Sequence, residues 1–185
     1  IAPGGTFTLG AIETINVPGE SMTPPQATTT FTLDINLDAG TAIGDPPYAS
    51  TQTVYDSLGN PIPLTLSFEK TAANVWTATA TVPAGTLNAG GTISISDNTF
   101  NFGSDGTLNN GTDPKITITG LASGAVDISD AASSAITWDL FDSTGATNGD
   151  LTQYAGDSTT NFNTQDGFAA GSLRGVSVDD NGYVT

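Results

Sequence analysis

Alternation of apolar and polar side chains with a period of two runs through most of this chain and decides its fold class. Phe31, Leu33, Ile35 and Leu37 alternate with Thr32, Asp34 and Asn36, which gives an extended segment one apolar and one polar face. Ile62, Leu64, Leu66 and Phe68 repeat the pattern, as do Trp76, Ala78, Ala80 and Val82. Shorter cases are Ile93 with Ile95, Phe100 with Phe102, Ile116 with Ile118, and Ile136 with Trp138 and Leu140. Nowhere do apolar residues keep the i, i+3, i+4, i+7 spacing of an amphipathic helix for three turns, so the chain is expected to be all-β. Thr, at about one residue in six, suits strands with an exposed face.

The punctuation between these segments agrees. Asp56-Ser57-Leu58-Gly59-Asn60 places Asp where a turn starts and Gly where positive φ is needed. Asn74, Asp97-Asn98, Asp105-Gly106, Asp142-Ser143-Thr144-Gly145 and Asn181-Gly182 mark further turns. Strands recurring every ten residues or so predict β sandwiches or distorted barrels rather than βαβ units. Residues 38–50 and 142–150 are rich in Gly and lack periodicity, so they read as linkers. The expectation is two β domains: an outer one at 41–150, with its flanking linkers, inserted into a discontinuous inner one made of 1–40 plus 151–185. Each outer piece alone is too short to bury a core.

Charge narrows the function. The chain has 19 acidic residues, three basic ones (Lys70, Lys115 and Arg174) and no His, for a formal net charge of −16. Nucleic acid and anionic membranes are poor partners, because binding them needs basic residues. No apolar run approaches the roughly 20 residues of a membrane-spanning helix. Ile1-Ala2-Pro3-Gly4 shows no charged region followed by an apolar one, so no signal peptide is expected.

Catalysis has little to work with. Lacking both His and Cys, the chain cannot build a Ser-His-Asp or Cys-His site. Neither Lys70 nor Lys115 lies in a Ser-x-x-Lys spacing. Of the three glutamates, Glu13 and Glu20 fall in an irregular segment and Glu69 ends a strand, so no carboxylate pair is indicated. Asp179-Asp180-Asn181-Gly182 and Asn101-Phe102-Gly103-Ser104-Asp105-Gly106 carry oxygen donors for calcium, but neither has the alternate-position ligands and closing Glu of an EF-hand, and both read as turns. Trp76 and Trp138 are in phase with apolar neighbours and are expected in the core rather than on a carbohydrate-stacking platform. Arg174, in a glycine-rich loop, suits either a subunit contact or a surface ion pair. No catalytic, cofactor-binding or metal-binding residues are therefore assigned.

Two dense segments carry a resemblance. Thr53-Val54-Tyr55-Asp56-Ser57-Leu58-Gly59-Asn60-Pro61, with Leu64 to Thr71 and the Trp76 strand, is similar to the inserted outer domain of bacterial flagellar hook proteins. Pro24-Pro25-Gln26-Ala27-Thr28-Thr29 and Phe31 to Leu37 resemble the family segment entering the inner domain. Leu151-Thr152-Gln153-Tyr154-Ala155, Asn163-Thr164-Gln165-Asp166-Gly167-Phe168-Ala169-Ala170-Gly171 and Val176 to Gly182 resemble the return, all in family order. The helical terminal segments of that family have no counterpart here, so the chain reads as a core fragment that is monomeric by itself. The resemblance implies a structural, non-enzymatic subunit, exported without a cleaved leader to the extracellular hook of the flagellum. Its partners would be copies of itself, stacked in a curved tube that serves as a universal joint, with rod and hook-filament junction proteins at the ends. The alternative is a bacterial surface adhesin or tail-fibre-like β domain, which would show an exposed aromatic platform or bound calcium.

Overall fold

A computed structural model describes residues 22–128 and 135–172. Its strands are β1 (Met22–Thr23), β2 (Thr30–Asn36), β3 (Tyr48–Tyr55), β4 (Pro61–Ala72), β5 (Val75–Thr81), β6 (Leu87–Ile95), β7 (Thr99–Asn101), β8 (Lys115–Leu121), β9 (Ile136–Trp138), β10 (Leu151–Thr152), β11 (Thr159–Gln165) and β12 (Gly171–Ser172). The fold is all-β, with no helix among the described residues.

The chain divides into two compact units, one of residues 1–23 with 171–185, the other of residues 24–170. In the first, the described residues form the antiparallel pair β1–β12, with Thr23 opposite Gly171. The second contains both large sheets. One has four strands in the order β3-β4-β5-β7. The other has six: β10-β2-β9-β8-β6 along one path, and β11 on the remaining edge of β2.

Strand β2 organises the larger sheet. Its alternation places Phe31, Leu33 and Ile35 in the core, each almost wholly buried. One of its edges pairs antiparallel with β11. The other pairs parallel first with β9, through Thr30 and Phe31, and then with β10, through Ile35 and Asn36. In the smaller sheet Ile62, Leu64, Leu66 and Phe68 of β4 point inward, joined by Trp76 and Ala78 of β5. Where the faces meet, Trp138 stacks on Phe31 at 5.9 Å and takes Phe68 and Phe100 edge-on at 5.8 and 5.4 Å. The Trp138 indole N–H is buried without a hydrogen-bond partner among the described residues and lies among aromatic rings, where an N–H can point at a π face instead. Trp76 uses its polar atom conventionally, donating from Nε1 to Gln153 Oε1 at 2.7 Å, while Gln153 Nε2 donates to Asn74 Oδ1.

Two prolines, Pro61 and Pro63, sit inside β4, where a missing N–H would normally break the ladder. They lie opposite Tyr55 and Thr53, whose main-chain groups face away from β4, and β5 pairs with β4 only from Thr65 onward. No bond is lost.

Three turns share one construction. In Asp56–Asn60, Gly103–Thr107 and Asp142–Ala146 the first residue's N–H donates to the fifth carbonyl, and the fourth residue, a glycine at φ near +80°, donates to the first carbonyl. This is the three-residue hairpin loop, a type I turn closed by a left-handed glycine.

The third of these turns corrects an expectation. Residues 142–150 do not link domains: Phe141 bridges Thr147, Asp142 Oδ1 accepts from Thr144 and Ala146, and Asp150 returns to bond Ile35. The Gly/Thr/Asn composition marks a hairpin excursion between β9 and β10. Of the other expected linker, 48–50 belong to β3. Its earlier part is tied down by Lys70 Nζ, which donates to the Ala39 carbonyl at 2.7 Å, and by Ala39 N–H bonding the Tyr154 carbonyl.

The boundary between units also differs from the expected one. It falls at 23/24 and 170/171, not at 40/41 and 150/151. The reason is pairing: β2 and β11, assigned by sequence to an inner domain, lie in one sheet with β9 and β8, β2 pairing β9 directly.

Candidate interaction surface

Gln165-Asp166-Gly167 acts as a clasp. Asp166, just past β11, accepts at its carboxylate from the Thr29 N–H, the Thr29 hydroxyl and the Thr30 N–H. Partial burial works against its ionisation, but the donors from Thr29 and Thr30 outweigh it and hold the carboxyl below the usual range. Gln165 Oε1 accepts from the Thr28 hydroxyl and from the Gly167 N–H. Gly167 packs so closely that a Cβ there would lie 2.4 Å from Thr28 Oγ1, so no other residue fits.

The other dense segment meets this clasp. Thr28, buried, donates its N–H to the Tyr55 carbonyl at 2.9 Å, and its hydroxyl accepts from the Tyr55 N–H at 2.8 Å. In the following turn Asp56 is fully buried and accepts from Leu58 N–H, Asn60 N–H, the Asn60 amide and the Ser123 hydroxyl. Burial pushes this carboxyl up, yet Asn60, Ser123 and Leu58 together hold it below the ordinary carboxylate range. Gly59 completes the contact, its α-carbon facing Pro25, Ala169 and Ala170. Two segments a hundred residues apart thus form one corner of the 24–170 unit.

Along the same side the edges of the two sheets face each other. Among the described residues β3 forms a strand ladder only with β4, and β11 only with β2. At one end the edges are joined by hydroxyls: Tyr48 Oη to Thr160 Oγ1 at 2.9 Å, and Thr160 Oγ1 to Ser50 Oγ at 2.8 Å. At the other end Thr28 fills the gap between Tyr55 and Gln165. Between these pins lies a slot of about 400 Å³, lined by Thr51, Gln52, Thr53, Asn163, Thr164 and Gln165. None of the six is charged, in a chain of net charge −16.

Apolar exposure is scattered. Leu58 and Val126 lie on segments joined by the Val126 N–H to Ser57 Oγ bond, while Phe162 stands out from β11 and Tyr154 covers Gly106.

The candidates read from sequence fall as follows. Trp76 and Trp138 are both buried, and neither offers a face to a ligand. Glu69 is exposed on β4, opposite Thr77 of β5. Asp105, in the proposed calcium turn, accepts from the Thr107 N–H and hydroxyl, and these bonds lower its pKa. Among the described residues no three acidic side chains converge to hold a metal. Lys70 bonds Ala39 and lies 5.7 Å over the Trp76 ring. Glu13, Glu20, Arg174 and Asp179-Asp180-Asn181-Gly182 lie outside the described residues. The structure adds the slot itself, which the sequence does not advertise because its inward residues are polar.

Comparison with known proteins places this geometry. No curated protein matches the chain. Among solved structures it is similar to the 32 kDa fragment of the flagellar hook protein FlgE from Caulobacter crescentus, at 20% identity and a TM-score of 0.47. That similarity covers 66% of this chain and 47% of the other, so the chain spans about half the length of that fragment. The family model described as flagellar basal body protein FlaE D2 domain matches residues 45–168, a stretch lying within the 24–170 unit that takes in β3, the Asp56 turn and the whole of β11. The chain belongs to the flagellar basal body protein FlaE D2 domain family.

Proposed function

We propose that this chain is the β core of a flagellar hook subunit. Copies of it stack helically into a short, curved extracellular tube that passes motor torque to the filament as a universal joint. The observation that carries this reading is the family match over residues 45–168, which takes in most of the 24–170 unit. The role is structural rather than enzymatic. Its partners are other copies of itself, with rod and hook-filament junction proteins at the two ends. In this reading the 24–170 unit is an insertion carried by a discontinuous inner domain, to which the β1–β12 pair belongs.

A universal joint needs bodies that keep their shape and contacts that exchange cheaply. Two sheets around an aromatic centre supply the first. A Thr-, Asn- and Asp-rich exterior supplies the second, since wet polar contacts trade partners at small cost. Both tryptophans are buried, so neither supplies the aromatic platform that an adhesin would use.

Immunogold electron microscopy of the parent bacterium, with antibodies raised against this chain, tests the proposal. Label is expected only on the short curved segment between cell body and filament. Label spread over the cell surface would overturn it.

A further inference from the structure

Asn-Gly pairs occur three times in the chain, at Asn110-Gly111, Asn148-Gly149 and Asn181-Gly182. Such pairs are chemically reactive. Glycine carries no Cβ to screen its main-chain nitrogen, so that nitrogen can reach the carboxamide carbon of the preceding asparagine. The third pair lies outside the described residues. The first two are equal in local sequence and differ in what the fold does with the amide.

Both asparagines are exposed. Both attacking nitrogens are tethered alike: the Gly111 N–H donates to the Gly145 carbonyl and the Gly149 N–H to Thr147 Oγ1, each at 3.1 Å. The carboxamides are not alike. Asn148 donates from Nδ2 to Asp139 Oδ1 at 3.0 Å, a bond strengthened by the carboxylate charge. Its main-chain N–H also bonds the Leu140 carbonyl at 2.8 Å. The Asn110 carboxamide forms no hydrogen bond among the described residues. Asn101, Asn109 and Thr112 border the same small cleft without engaging it.

We propose that Asn110 is a self-modification site, at which the folded chain converts its own asparagine to aspartate and isoaspartate. The lone pair of the Gly111 nitrogen bonds Asn110 Cγ and the Cγ–Nδ2 bond breaks. Ammonia leaves, carrying the proton that the Gly111 nitrogen gives up. Water then opens the cyclic imide. Addition at Cγ gives aspartate, and addition at the main-chain carbonyl of residue 110 gives isoaspartate. Neither step consumes anything but water. Either product adds one carboxylate to a chain that already carries −16. Isoaspartate also adds a methylene to the main chain between the Phe102–Leu108 bridge and β8. Asn148 is spared because its amide must first leave Asp139. The fold thus decides which of two like pairs reacts, and this holds whether or not the chain is a hook subunit.

The test is peptide mapping of the full chain after incubation at neutral to mildly alkaline pH, folded in buffer and, in parallel, unfolded in urea. Trypsin cuts after Lys70, Lys115 and Arg174, so the three Asn-Gly pairs fall in three different peptides. Mass spectrometry reads the exchange of amide for acid, and an isoaspartate-specific methyltransferase labels the isoaspartate. In urea Asn110 and Asn148 should react at similar rates, since glycine follows each. In the folded chain Asn110 should react about three- to tenfold faster than Asn148, the worth of one hydrogen bond. Asp139→Ala releases the Asn148 amide and should bring its rate up to that of Asn110, whose own rate stays unchanged. Asn110→Gln should leave the Thr71–Lys115 peptide largely unmodified, because glutamine must close a larger and slower ring. Equal rates at the two sites in the folded chain, or faster reaction at Asn148, would overturn the inference. So would product that persists in the Thr71–Lys115 peptide of Asn110→Gln, or an Asn148 rate unmoved by Asp139→Ala.

Discussion

At the scale of single residues, the acidic side chains divide by the sign of their effect on stability. Asp56 and Asp166 are held below the ordinary carboxylate range by their donors, against the opposing pull of burial. Each therefore adds stability that is complete above the unfolded-state pKa of about 4 and is lost as pH falls toward and through the lower folded value. Asp150 has the opposite sign, because burial, then Asp34 and Asp139, push its carboxyl up. Its ionised form opposes folding at neutral pH, and acidification through its raised pKa relieves that opposition. Thermal melts from pH 7 to pH 2 should show Asp150→Asn more stable than the parent chain at pH 7 and converging with it in acid. Asp56→Asn should flatten the loss of stability below about pH 4. Asp56→Ala strands the donors of Leu58, Asn60 and Ser123 in a buried corner, at a cost of about 3 kcal/mol or more. That cost corresponds to a fall in melting temperature of about 6–12 °C. A melt within about 1 °C of the parent would show that Asp56 does not hold the corner together.

At the scale of elements, legibility followed the chemistry of the inward face. β2, β4 and β5 were readable because Phe31, Ile62 and Trp76 begin runs in which every second side chain is apolar and turned inward. The start of β3 hid in a presumed linker because its inward residues include Ser50 and Gln52, and period-two polarity cannot be seen when both faces are polar. β11, Thr159–Gln165, has almost no buried side chain and is held by main-chain bonds to β2 and by the Asp166 clasp. The candidate surface lies between these two strands, so the pattern that revealed the core could not reveal it. The turns were legible as turns, though their shared construction was not. Gly59 tests that construction. Alanine there would take a left-handed backbone and bring its Cβ within 2.6 Å of Pro25 Cβ, whereas Gly85, at a similar φ, has nothing within 4 Å. Gly85→Ala should cost about 1 kcal/mol for backbone strain alone. Gly59→Ala should cost at least about twice that, since strain and clash add. Equal melting temperatures for the two variants would mean that the corner yields freely. Gln153→Leu probes the link between β5 and the segment after β10. It leaves the Trp76 N–H unpaired and should cost about 1–3 kcal/mol, read from urea midpoints at unchanged slope.

At the scale of the whole molecule, composition did not reveal where the chain divides. The boundary at 23/24 and 170/171 was not legible, because a Gly/Pro-rich stretch and a hairpin excursion look alike without knowledge of strand pairing. Net charge was legible from the start, and it bears directly on assembly. Each copy of this chain carries −16, with only three basic residues against 19 acidic ones. In a tube built from such copies, repulsion acts across every wet contact and is set by the screening length: about 30 Å at 0.01 M salt, 10 Å at 0.1 M and 3 Å at 1 M. A curved tube places copies closer together on its inner side than on its outer side, so repulsion opposes curvature most where spacing is smallest. Lowering the ionic strength should therefore straighten isolated hooks, and raising it should restore the curve. Electron micrographs of the same hooks at 0.01 M and 1 M salt measure this directly through the radius of curvature. A radius unchanged across that range would place the determinants of curvature in short-range contacts, where salt has little reach, and would remove net charge from the mechanism.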